Sequence, residues 1–219
     1  MPQDEWSVLG RIAIWALPVI LAITVHEVAH GWVAYKLGDD TAKKQGRLTL
    51  NPISHIDLVG TIILPTVLLV FGGFMFGWAK PVPVNFRNLN KPKRDMVYVA
   101  IAGPLANLIM IFCWALLMKL AMIIGHSSEF ISLPLIYMAY AGIFINAVLM
   151  VLNLLPILPL DGGRVVAGLL PDKMSVQFSR LEPLGLPILI GIMVMNWLPK
   201  LIGPPIYMLQ TSIFKILGI

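Results

Sequence analysis

The stretch IAIWALPVILAITVHEVAHGWVAY, residues 12–35, holds one formally charged side chain, Glu27. It is longer than the roughly 20 apolar residues that a helix needs to cross a bilayer. Within it lie His26, Glu27 and His30, three ionisable groups in a run otherwise built for hydrocarbon. Ionisable side chains at membrane depth are costly, and they are retained where they do chemistry.

The rest of the chain agrees with that reading. Of its 219 residues, 58% are hydrophobic and 12% charged, too apolar for a soluble domain of this size. Further apolar runs cover residues 58–78, 97–124, 131–155 and 184–198, the last followed by an amphipathic stretch broken by Pro199, Pro204 and Pro205. We therefore expect one domain, residues 1–219, that is an all-α polytopic membrane protein with about 4–6 membrane segments. Cys113, the only cysteine, rules out a disulfide framework and a cysteine-rich metal site. Residues 1–10 have no basic group, unlike a signal peptide. The net charge of +5 is spread over loops, which suits lipid headgroups rather than nucleic acid.

Loop charge orients the chain. The loops at 39–57, 79–95 and 156–183 are basic, whereas 125–130 and the N-terminus are not. The basic loops belong on the cytoplasmic side. That assignment favours a re-entrant or hairpin segment at 58–78, broken as it is by Pro65, Gly72 and Gly73, with an ordinary spanning helix as the alternative. On either side of it, Gly46 to Pro52 alternates like a short strand and Lys80 to Asn85 is held extended by prolines. A short β-hairpin is thus expected between the first and third apolar segments.

The chemistry follows from spacing. Residues four apart share a helix face, so His26 and His30 can offer two imidazoles to one ion. Zn²⁺ accepts such nitrogens, and Glu27, one position along, reaches a metal-activated water as a general base without being a ligand. A catalytic zinc wants a third protein ligand. The best candidate is Asp161 in NLLPILPLDGG, residues 153–163, where Pro156 and Pro159 turn the chain and Gly162 and Gly163 permit close backbone approach. Asp-Gly is also a common turn. Asn153 either caps or bridges helices or donates to an oxyanion, Asn107 reads as a helix-packing residue, and His55 with Asp57 forms a second polar pair of open role. His126 falls on the opposite side.

With His26-Glu27-x-x-His30 in one apolar helix and Asn153-x-x-Pro156-x-x-Pro159-x-Asp161-Gly162 ending another, the chain resembles the site-2 proteases, the intramembrane zinc metalloproteases of peptidase family M50. GRLTLNP (46–52), GWAKPVPVN (77–85) and AGPLAN (102–107) resemble its compact bacterial branch, without PDZ or CBS domains. The resemblance implies one Zn²⁺ per chain on His26, His30 and Asp161, Glu27 as catalytic base, and a transmembrane protein as substrate. It implies an integral protein of the bacterial plasma membrane, and the loop charge puts the expected active site nearer the cytoplasm. A helical substrate must unwind before its carbonyls can be attacked, and Leu48–Leu50 or Val82–Val84 is the expected edge to hold it. The alternative is a metal-binding scaffold of the same fold without turnover. A transporter would show repeated halves, which are absent from the sequence.

Overall fold

In the computed structural model, residues 7–63, 77, 79–125 and 128–219 are described. Helix α1 spans Val8–Lys36, with the Ser7 hydroxyl accepting from the Gly10 N–H at its start. A short helix α2, Thr41–Lys44, follows. Next come a 3₁₀ turn at Pro52–His55, a π-helical segment at Leu58–Ile63 and a second 3₁₀ turn at Phe86–Asn88. Two long helices, α3 (Pro92–Gly125) and α4 (Glu129–Asn153), run antiparallel to each other. Shorter helices complete the chain: α5 (Asp161–Leu169), α6 (Asp172–Ser179), α7 (Glu182–Val194) and α8 (Leu198–Leu217).

Among the described residues, α1, α3 and α4 are long and apolar enough to cross a membrane; α7 and α8, bent by 86° at their junction, make a fourth span if counted as one. The chain is an integral membrane protein. The expected 4–6 segments thus become three or four among the described residues. The re-entrant reading of 58–78 falls largely on residues 64–76 and 78, outside them. Ile12, Leu17 and Ile20 on α1 and Ile109, Leu116 and Leu120 on α3 are exposed, as lipid-facing positions should be. Away from lipid, Ile111, Trp114 and Ala115 of α3 pack with Ala139, Ile143 and Ala147 of α4, and Ile206 and Ile213 of α8 close that core. Helix α3 starts five residues earlier than its apolar run suggests, because the Asp95 carboxylate accepts from the Lys91 N–H at 2.7 Å and caps the added turn.

The β-hairpin expectation is wrong: among the described residues there are no strands. Local chemistry explains it. Asn51 Oδ1 accepts from the Ile53 N–H and turns Pro52–His55 into a 3₁₀ helix. On the other arm, Pro81 and Pro83 lack the N–H groups that a ladder requires. Among the described residues, one backbone bond joins the two arms, from the Lys80 N–H to His55 O at 3.0 Å. Arg47 supplies the remaining link, its buried guanidinium donating to Lys80 O at 2.9 Å and Pro81 O at 3.4 Å. Residues 80–84 form a strap along α1, held by side chains rather than by a sheet.

A second clasp fixes the strap's far end. Asp39, fully buried just past α1, accepts from the Thr41 N–H and hydroxyl, the Asn85 N–H and the Asn88 amide. Burial acts to raise its pKa, but these four donors outweigh it and the pKa is lowered.

Candidate metal centre

His26 and His30 occupy successive turns of α1, on the face that meets α3. Their Nε2 atoms are 3.0 Å apart. Asp161, first residue of α5, sends Oδ2 to within 3.3 Å of each. Residues separated by more than 130 positions thus meet at one point. The expected ion-binding trio is the group of metal-competent side chains that the described residues bring together.

Two close approaches make this possible. A Cβ on Gly103 of α3 would lie 2.3 Å from His30 Nε2 and 2.5 Å from His26 Cε1, so only glycine leaves room for both rings. A Cβ on Gly162 would lie 2.3 Å from Leu154 O. Its absence lets α5 fold back against the end of α4 and carry Asp161 inward.

The three atoms fit a cation. A tetrahedral ion with ligand bonds of about 2.0–2.1 Å has ligand–ligand edges of roughly 3.3–3.4 Å, close to the triangle seen here. His30 Nδ1 lies 2.7 Å from the Val99 carbonyl and His26 Nδ1 2.5 Å from Asn107 Oδ1. Each Nδ1 meets an acceptor and so carries the proton, which leaves both Nε2 lone pairs facing the centre. Asp161 Oδ2 is buried without a hydrogen-bond donor. Three lone pairs converge there with no donor among them, an arrangement that a dication satisfies.

Glu27 lies beside the trio, and its Oε2 accepts from the Val82 N–H of the strap at 2.8 Å. That contact was not foreseen, though the forced extension at Lys80–Asn85 was its signal. Asn107, read from sequence as a packing residue, does bridge helices, but through an imidazole of the trio. Its Nδ2 reaches Asn146 Oδ1 of α4 at 2.8 Å and Ala22 O at 3.3 Å. Asn146 was missed; an amide within an otherwise apolar span was the available signal.

The other candidates are not members of that trio and make local hydrogen bonds instead. Asn153 spends its amide N–H on Leu149 O, one turn back at 3.0 Å. His55 is buried, its Nε2 2.9 Å from Thr49 O, and it braces the strap. Asp57 accepts from the Gly60 N–H at 2.6 Å. His126 falls outside the described residues.

Comparison with known proteins agrees with the geometry. The family model described as Peptidase family M50 matches residues 14–195. The Bacillus subtilis protein named "Putative zinc metalloprotease YwhC" is 41% identical over 209 residues, which are 95% of this chain and 92% of the relative. "Putative zinc metalloprotease Rip2" of Mycolicibacterium smegmatis is 29% identical over 167 residues, 73% of this chain and 59% of that protein. "Stage IV sporulation protein FB" of Bacillus subtilis is 29% identical over 170 residues, 74% of this chain and 52% of that one. The chain therefore spans little more than half the length of the last two. No solved structure matches it.

Proposed function

Because the chain belongs to peptidase family M50, we propose that it is a zinc endopeptidase that hydrolyses a peptide bond within or beside a transmembrane segment of another membrane protein. The observation that carries this reading is the meeting of His26, His30 and Asp161 on the side of spanning helices, with Glu27 adjacent. His30 lies six residues and His26 ten from the Lys36 end of α1. At 1.5 Å per residue the ligands are about 9–15 Å from that end, below a membrane surface but not at its middle.

In this reading one zinc per chain sits on His26, His30 and Asp161. It supplies Lewis acidity to the scissile carbonyl and to the attacking water. Glu27 does the proton work. It takes a proton as the water oxygen bonds to the carbonyl carbon, and returns one to the amide nitrogen as the C–N bond breaks. The Val82 N–H engages Oε2 and leaves Oε1 for that exchange. Asn153 is the candidate oxyanion donor, its amide held by a single helix carbonyl that it can leave. The basic loops at 39–57, 79–95 and 156–183 support a cytoplasmic location for the near surface and a bacterial plasma membrane for the whole.

The test compares wild type with Glu27→Gln on a panel of membrane-protein substrates, with zinc measured in both. Zinc in both and cleavage by wild type alone is the expected result. Equal cleavage by both sinks the mechanism. Bound zinc without cleavage by either across the panel favours a metal-binding scaffold.

A further inference from the structure

We infer that Asn146 of α4 is a positioning residue for the metal centre: acting through Asn107, it fixes which nitrogen of His26 carries the proton. The inference rests on the zinc-site reading above and deepens it. It starts from a fact that the mechanism leaves unused. Two asparagines, Asn107 and Asn146, are fully buried at the meeting of three spanning helices. Buried amides in such surroundings are costly unless every group is paired.

These amides are paired in one direction only. Gly142 O can only accept, and the Asn146 Nδ2 donates to it at 2.8 Å. Asn146 must then turn Oδ1 the other way, toward α3. That oxygen too can only accept, so Asn107 presents Nδ2 to it at 2.8 Å and to Ala22 O at 3.3 Å. Asn107 Oδ1 is thereby aimed at His26 Nδ1, 2.5 Å away. His26 must donate from Nδ1, which leaves Nε2 bare and directed at His30 Nε2 and Asp161 Oδ2. Each link forces the next because an amide has one donor end and one acceptor end.

His30 needs no such chain, since the Val99 carbonyl meets its Nδ1 directly. The difference is instructive. A backbone carbonyl cannot turn round, but an asparagine side chain can. A flipped Asn107 would offer Nδ2 to His26 Nδ1, move the imidazole proton to Nε2 and block the metal. Asn146, anchored by Gly142, prevents the flip.

The experiment measures zinc affinity of the full chain in detergent by competition with a chelator, independent of any substrate. Asn146→Leu keeps the side-chain shape and removes the acceptor. It should weaken zinc about tenfold, the lower end of what outer partners of a ligand contribute, because Ala22 O still biases Asn107. Asn107→Asp has two equivalent acceptor oxygens and cannot flip. In that background Asn146→Leu should not weaken zinc binding, because no acceptor from Asn146 is needed to hold an oxygen toward His26.

Equal weakening in both backgrounds would show that Asn146 acts through packing alone and overturn the inference, as would wild-type affinity in the single variant. Nitrogen NMR of the metal-free wild type gives a check that no substitution can spoil. His26 should be protonated at Nδ1 and bare at Nε2, and the opposite tautomer overturns the relay. A wild type that binds no zinc overturns the site itself. Zinc binding with no cleavage leaves the relay standing and removes only the protease reading.

Discussion

Replacing Gly103 with alanine should separate the stability of the fold from the integrity of its centre. The added methyl carbon would sit 2.3 Å from His30 Nε2, 2.5 Å from His26 Cε1 and 2.6 Å from His30 Cε1. Non-bonded heavy atoms rest at about 3.5 Å or more, so the rings must retreat by roughly 1 Å. Metal sites tolerate about 0.2 Å in ligand distance, several times less. The rings cannot swing aside freely, because Val99 O and Asn107 Oδ1 hold their Nδ1 atoms. Alanine is meanwhile the better helix former, by about 0.8–1 kcal/mol in a helix interior. Gly103→Ala should therefore remain folded in detergent, with a thermal transition near the wild-type one in chelator. Its zinc affinity should fall at least about 100-fold, the upper end of what losing an outer partner costs. Gly203→Ala, in open space on α8, serves as the control and should bind zinc normally. A Gly103→Ala protein with full zinc and full cleavage would falsify the geometry of the site.

Val82→Pro removes the N–H that Glu27 Oε2 accepts and leaves the extended backbone intact; a charged hydrogen bond of about 1.5 kcal/mol corresponds to roughly a tenfold drop in kcat at unchanged zinc content. A loss of zinc in this variant would mean that the strap holds the ligands rather than the base. Asn153→Ala should lower kcat by about 100-fold with little change in KM if its amide reaches the oxyanion, and an unchanged kcat confines Asn153 to its bond with Leu149. The Asp39 clasp contributes stability that is present above the ordinary carboxylate value of about 3.9. Because its folded pKa is lowered, that contribution is lost as pH falls through the depressed value. Hydrogen exchange at Thr41, Asn85 and Asn88 should rise in wild type only as pH falls through that depressed value, below the ordinary carboxylate range, and be high at neutral pH in Asp39→Ala. Exchange that is indifferent to both would discount the clasp.

The architecture was legible where one physical constraint dominates. Long apolar runs have no alternative in lipid to a helix, so α1, α3 and α4 could be read directly. His26 and His30 were legible because helical spacing alone sets their shared face. Asp161 was reached through elimination and through Pro156, Pro159 and the two following glycines, which announced a turn back toward the bundle. The hairpin failed for an opposite reason. Alternation in Gly46–Pro52 is a weak local signal, and it lost to long-range contacts: Arg47 took the carbonyls of Lys80 and Pro81 that a ladder would have used. The sequence marked Asn146 as an amide in an apolar span but could not state its partners, for the same reason. Its value depends on Asn107 and Gly142 standing beside it, and no spacing in the sequence states which helices touch.

For the proposed protease, the depth of His26 and His30 on α1 would bear on how products leave. Cutting a peptide bond turns one neutral amide into a carboxylate and an ammonium. At about 9–15 Å below the helix end, both new termini would be born in or near hydrocarbon, where charge is unwelcome. Each would be drawn toward the near surface by its own solvation. Rejoining the fragments would require stripping that water away again. Bond-breaking atoms placed shallow in the membrane would thus make the proposed cleavage directional, with the first step of each product outward.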